Sequence, residues 1–143
     1  MNVFFDTSVL VPAVVDQLAN HGVCFQVFAE HTVAPERGFC STHALAECYS
    51  VLTALPLRRR VTPGEAQRII QESFVSRLTV VALETPAYTE AIARVAERGL
   101  VSGTIYDALH VMAAEQAECS RIYTYNTDHF LPLVADTLQV TTP

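Results

Sequence analysis

Between Gly103 and Ala114 the chain reads G-T-I-Y-D-A-L-H-V-M-A-A. Thr104 suits a helix N-cap, and Ala108, Leu109, Val111, Met112, Ala113 and Ala114 make the following turns apolar nearly all round. Such a helix is stable only when other elements cover most of its surface. Asp107 falls at the third helical position, which puts a carboxylate at the mouth of a buried element. It can complete a Thr-x-x-Asp variant of the capping box and complement the helix dipole. It can equally belong to a cluster, because Asp6, Glu47, Asn126 and Asp128 each stand where a strand or helix end could bring them to one sheet edge.

The rest of the chain supplies that sheet. Val3, Phe4 and Phe5 form a short apolar run that reads as a buried strand ending at Asp6. Thr7 and Ser8 follow as capping residues of an apolar helix over 9–15, bounded or interrupted by Pro12. Asp6 therefore suits a helix cap and a ligand at a strand's carboxyl end about equally. A second helix is expected over 20–30 and a strand ending in Phe39 and Cys40. The helix over 43–55 carries Leu45, Cys48, Leu52 and Leu55 on one stripe, with Glu47 off it near the N-terminal end, where an exposed glutamate is ordinary.

Thr62-Pro63-Gly64-Glu65 is a helix start with its cap, first-position proline and closing acid, and the helix runs to about Phe74. A strand over 78–83, a helix from Thr85-Pro86 through Arg98 closed by Gly99, the Asp107 helix to about Ala117, and strands over 121–125 and 138–140 complete the order. That order, β-α-α-β-α-α-β-α-α-β-α-β, predicts one α/β domain over residues 1–143: a sandwich of helices around a mostly parallel sheet.

Half of the 143 residues are hydrophobic and 17% are charged, so a compact globule is expected and disorder is not. The net charge is −6, from nine arginines, no lysine and fifteen acids. That balance is unfavourable for gripping a polyanion by bulk electrostatics, unless clustered acids are neutralised by cations. The absence of lysine removes the Walker P-loop, Schiff-base chemistry and lysine-dependent phosphoryl transfer. Cys24, Cys40, Cys48 and Cys119 show no C-x-x-C spacing and read as core thiols. His21 and Cys24 would make half a zinc site with no second half. Arg58, Arg59 and Arg60, the only basic run, suit a solvated loop better than a phosphate contact. No stretch is long and apolar enough to span a bilayer, and an acid stands at Asp6 where a signal peptide would carry basic residues, so the cytoplasm is the expected compartment.

In that order Asp6 follows the first strand, Glu47 lies in the first turns after the second, Asp107 opens the buried helix and Asn126 or Asp128 follows the fourth strand. Several carboxylates meeting at one edge repel each other unless a cation sits among them. Oxygen-rich, histidine-poor ligands select magnesium or manganese. Without lysine or a nucleophilic cysteine, such ions support water activation and in-line attack on a phosphodiester.

F-F-D-T-S-V-L at the start, the A-E-C helix after F-C-S-T, G-T-I-Y-D-A-L-H-V-M-A-A, and T-Y-N-T-D-H-F together resemble the PIN domain, specifically the VapC-like ribonuclease toxins. The resemblance covers nearly the entire chain. It implies that Asp6, Glu47 and Asp107 bind metal, that Thr7 or Ser8 and Thr104 help hold water or metal, and that the last motif supplies an acid or an asparagine. Asn126 holds the motif register and Asp128 carries the charge. The resemblance also implies Mg2+- or Mn2+-dependent endonucleolytic cleavage of RNA, a homodimer and a cognate antitoxin. The alternatives are a PIN-like RNA-binding or protein-interaction module without catalysis, and a phosphatase or receiver-type phosphoacceptor, which the missing lysine disfavours.

Overall fold

The computed structural model describes residues 1–143. Strands β1 (Asn2–Phe5), β2 (Arg37–Ser41), β3 (Thr79–Val81), β4 (Arg121–Tyr123) and β5 (Gln139–Thr141) form one sheet in the order β3-β2-β1-β4-β5. Every neighbouring pair is parallel, so the sheet is wholly and not just mostly parallel. Buried on both faces, such strands read as continuous apolar runs. Val3, Phe4 and Phe5 of β1 are all inaccessible to solvent.

The helices are α1 (Thr7–Val14), α2 (His21–Glu30), α3 (Thr42–Ala54), α4 (Pro63–Ile69), α5 (Thr85–Glu97), α6 (Thr104–Gln116) and the single turn α7 (Thr127–Phe130). They divide between the two faces of the sheet as the side chains of β1 alternate. Val3 and Phe5 point into one core with Leu10, Phe28, Cys48, Leu52 and Phe74, from α1 to α4 and the segment after it. Phe4 points into the other with Ala91, Leu109, Val111, Ile122 and Phe130, from α5, α6, β4 and α7. At roughly 1.5–3 kcal/mol for each large apolar side chain removed from water, these two cores hold the three layers together.

Local signals account for most boundaries. Thr62 caps α4 by accepting from the Glu65 amide, with Pro63 at the first position, and Gly99 leaves α5 with φ +66°. Ala108 to Ala114 of α6 are buried without a break. Three expectations need correction. Helix α1 begins at Thr7 and holds Pro12 as its sixth residue, past the first turn, so it forgoes the hydrogen bond an N–H there would make to the Ser8 carbonyl. The helix opened by Pro63 passes at Ile70 into a π-helical segment, Ile70–Val75. As the order predicted, a helical turn, α7, stands between β4 and β5. Gly103, not Thr104, is the N-cap of α6, so Asp107 stands at the fourth helical position.

The strand order matters most for function. From β1, the strands β2 and β3 add to one side and β4 and β5 to the other. In open α/β sheets the crevice outside the carboxyl ends at such a reversal is where ligands bind. Asp6 follows β1 there, Ser41 ends β2 and Thr124 follows β4.

Candidate active site

The protein buries five polar or charged side chains, Asp6, Thr7, Ser41, His110 and Thr124, and all five belong to this end of the sheet. Buried polar groups are costly unless satisfied, so their concentration in one place marks the region where the fold departs from simple core packing.

Asp6 occupies the N-cap position of α1 but makes no side-chain cap bond. Its Oδ2 instead accepts from the hydroxyls of Ser8 at 2.7 Å and Thr124 at 2.8 Å. Those hydroxyls also accept backbone amides, Ser8 from Tyr125 at 3.0 Å and Thr124 from Asn126 at 2.9 Å. The segment after β4 is thereby tied to Asp6, and Asn126 is held beside it. Thr7 Oγ1 is buried without a hydrogen-bond partner, apart from the weakly polar Cys48 thiol it faces.

Glu47 projects from α3, where Ser41 is the cap and accepts from the Ala44 amide at 3.0 Å. The same Ser41 hydroxyl meets His110 Nδ1 at 3.0 Å, and His110 Nε2 lies 2.5 Å from Glu47 Oε1. With the Ser41 oxygen already accepting Ala44 N–H, its own proton suits Nδ1, and Nε2–H donates to Glu47. His43, one turn before Glu47, brings its Nε2 to 3.3 Å from the same oxygen. Burial alone would raise the Glu47 pKa. The His110 hydrogen bond and the charges of His110 and His43 outweigh it, leaving Glu47 below its ordinary value. His43 is lowered, first by burial and further by His110, against the opposing pull of Glu47.

The atoms of His43, Glu47 and His110 lie within 4.8 Å of one another, close enough to suggest an ion between them. Both imidazoles, however, address one oxygen, which is a hydrogen-bonded clamp on a carboxylate and not three donors around a metal.

Asp107 enters from α6 and makes no cap; the His129 imidazole stands beside it, with Nδ1 at 3.7 Å from Oδ2. Its carboxyl is pushed up from 3.8 to about 6, first by burial and then by the charge of Asp6, with Glu47 adding and His110 and His129 opposing. Asp6, Thr7, Ser8, Glu47, Asp107 and Asn126 line one cleft of about 430 Å³. An all-oxygen donor set in which the charges of Asp6 and Glu47 help raise the pKa of Asp107 fits a divalent cation, which would convert that repulsion into attraction.

Two residues expected at the site stand apart from it. Thr104 donates its hydroxyl to the Val101 carbonyl at 2.9 Å and does not line the cleft. Asp128, in α7, is exposed and outside the cleft as well, so Asn126 is the member of the last motif that faces the acids. His21 bonds the Pro12 carbonyl and Cys24 the Tyr125 hydroxyl, which leaves no zinc half-site. Ser41, His43 and Thr124 were not singled out in the sequence. The only signals were a histidine four residues before Glu47 and a hydroxyl two residues before Asn126.

An open parallel α/β sandwich carrying an acidic cleft at its topological switch point defines a domain built to hold a hard divalent cation. The model of the PIN-domain family matches residues 3–134, and the chain belongs to that family. Ribonuclease VapC27 of Mycobacterium tuberculosis is 38% identical over 112 residues, covering 78% of this chain and 75% of that protein. Among solved structures, Mycobacterium tuberculosis VapC20, a Sarcin-Ricin loop cleaving toxin, superposes with TM-score 0.73 at 16% identity, covering 94% of this chain and 97% of that one. VapBC2 from Rickettsia felis, bound to a DNA fragment from its promoter, gives TM-score 0.69 at 18% identity over 100% of this chain and 99% of its counterpart. At such identities the solved structures establish the fold.

Proposed function

We propose that the chain is a divalent-metal-dependent endoribonuclease, the toxin of a toxin-antitoxin pair, acting as one domain over residues 1–143 with magnesium or manganese as its ion. The observation that carries the reading is the cleft in which Asp6, Glu47 and Asp107 face one another, together with 38% identity to a protein named as a ribonuclease.

Asp6, Glu47, Asp107 and Asn126 would hold the ion. When bound, the ion supplies an activated water and neutralises charge building on the scissile phosphate. The chain's own groups prepare the donors. Ser8 and Thr124 fix the Asp6 carboxylate through Oδ2, and His110 and His43 fix Glu47 through Oε1. Thr7 lines the same cleft, with its hydroxyl buried and turned to the Cys48 thiol. His110 already uses both nitrogens, so it orients Glu47 and is not needed as a general base.

The VapBC relatives are toxin-antitoxin complexes, which supports an antitoxin partner here; an arginine from it would suit the carboxylates. A homodimer is part of the same reading. No helix is long and apolar enough to cross a membrane.

The test is cleavage of total RNA by the purified protein in magnesium, in chelator, and by an Asp6→Asn, Asp107→Asn double variant. Magnesium-dependent cleavage that the double variant loses supports the reading. RNA binding without cleavage in magnesium or manganese would replace it with the non-catalytic PIN-like module.

A further inference from the structure

A row of aromatic rings runs from the core to the surface beside the carboxylates. Phe130 and His110 lie with centroids 6.4 Å apart and planes 14° apart, and His43 follows 5.5 Å from His110. Tyr106 closes the row 5.1 Å from His43, with planes only 8° apart. Exposure rises along it, from none at Phe130 and His110 to 52% at Tyr106. The row therefore ends in an open ring face whose tilt is set from below, because His43 is itself held at Glu47.

Its place in the chain couples this face to the acids. Tyr106 immediately precedes Asp107, and His43 lies one helical turn before Glu47. A charge of −6 and the absence of lysine give the protein little bulk attraction for a polyanion. Stacking of a base on an aromatic face needs no net charge and accepts every base.

We infer that Tyr106, backed by His43, is a nucleobase shelf that stacks one unpaired base of an RNA next to the phosphodiester entering the carboxylate cleft. The inference rests on the ribonuclease reading for the identity of the polymer. Such a shelf needs an unpaired base, since a base inside an A-form duplex has both faces covered and its edges in grooves. The shelf uses the ring and not the hydroxyl, so phenylalanine replaces tyrosine there and leucine does not.

The experiment uses a short RNA carrying 2-aminopurine, whose emission falls on stacking, in calcium buffer with probe integrity checked on a gel. Wild type and Tyr106→Phe are expected to quench the unpaired probe. Tyr106→Leu is expected to bind about tenfold more weakly with little quenching, while keeping the wild-type melting temperature. The probe annealed to its complement is expected to show neither effect. In magnesium, Tyr106→Leu should raise KM about tenfold with kcat largely kept, because the shelf binds substrate and transition state alike. Quenching and affinity unchanged in Tyr106→Leu, no quenching by wild type, or duplex bound as tightly as single strand would each overturn the shelf. RNA cleaved with unaltered KM by Tyr106→Leu sinks the shelf and leaves the nuclease. Tyr106-dependent quenching without cleavage of any RNA leaves the shelf and sinks the nuclease.

Discussion

His110 Nε2 lies 2.5 Å from Glu47 Oε1 while its Nδ1 meets Ser41 at 3.0 Å, so one inaccessible imidazole joins α6, α3 and the end of β2 at the level of the acids. His110→Ala would leave a cavity and strand the Ser41 hydroxyl. It is expected to cost ~2–4 kcal/mol of stability, read from the urea midpoint. It should also weaken manganese binding about tenfold to a hundredfold, since Glu47 loses its orientation. A variant as stable as wild type would show that the imidazole is not packed as described.

Asp107 should give the metal-free protein a pH dependence of definite sign. Its folded pKa, raised to about 6 from 3.8, means that the folded state holds the proton more tightly than the unfolded chain. The associated stability is fully present below pH 3.8 and is lost as pH rises through about 6. Glu47, lowered in the folded state, runs the other way: its contribution is present above its ordinary pKa and lost as pH falls. Comparing melting curves of wild type and Asp107→Asn across this window isolates the first effect. The variant should melt higher relative to wild type at neutral pH than at low pH, and parallel curves would rule the repulsion out.

A divalent cation should reverse that loss. Thermal stability of the wild type is expected to rise with manganese or magnesium, by about 2.7 kcal/mol at a hundredfold excess over Kd. The Asp6→Asn, Asp107→Asn double variant should not respond. An equal response in both proteins would place the ion elsewhere.

The two candidates of the last motif separate cleanly. Asn126 lines the cleft and its amide is tied to Thr124, whereas Asp128 is exposed outside it. Asn126→Ala is expected to lower RNA cleavage about tenfold or more, and Asp128→Ala to leave it near wild type. The opposite ranking in a cleavage assay would move the charge of Asp128 into the site.

The strand and helix order was legible because its signals are local. Val3 to Phe5 could only be a covered strand, Thr62 to Glu65 specify a helix start by themselves, and Ala108 to Ala114 demand burial. Asp6, Glu47 and Asp107 could be placed near one edge from element order alone. Whether they were caps or ligands could not be read, since Thr104 and Asp107 fit a capping pattern equally well. That choice turns on side-chain directions: Asp6 ignores the amides of α1 for two hydroxyls, one of them 118 residues away at Thr124. The Ser41–His110–Glu47 relay was hidden for the same reason, because its members lie 69 and 63 residues apart. Asn126 over Asp128 was decided by the turn α7, whose place between β4 and β5 the element order predicted but whose register, leaving Asp128 exposed, it did not.

The order of the sheet also governs when the site comes into being during synthesis. Its central strand precedes the others, but the strand that pairs along its other flank, and with it Thr124 and Asn126, is made only after β2 and β3. A ribosome-bound chain that has exposed only β1, β2 and β3 holds Asp6 and Glu47 without Asp107, without the Thr124 hydroxyl and without the His110 clamp. The site therefore forms only once β4 and the turn after it have been made and paired with β1, and a chain cut short before Thr124 lacks it.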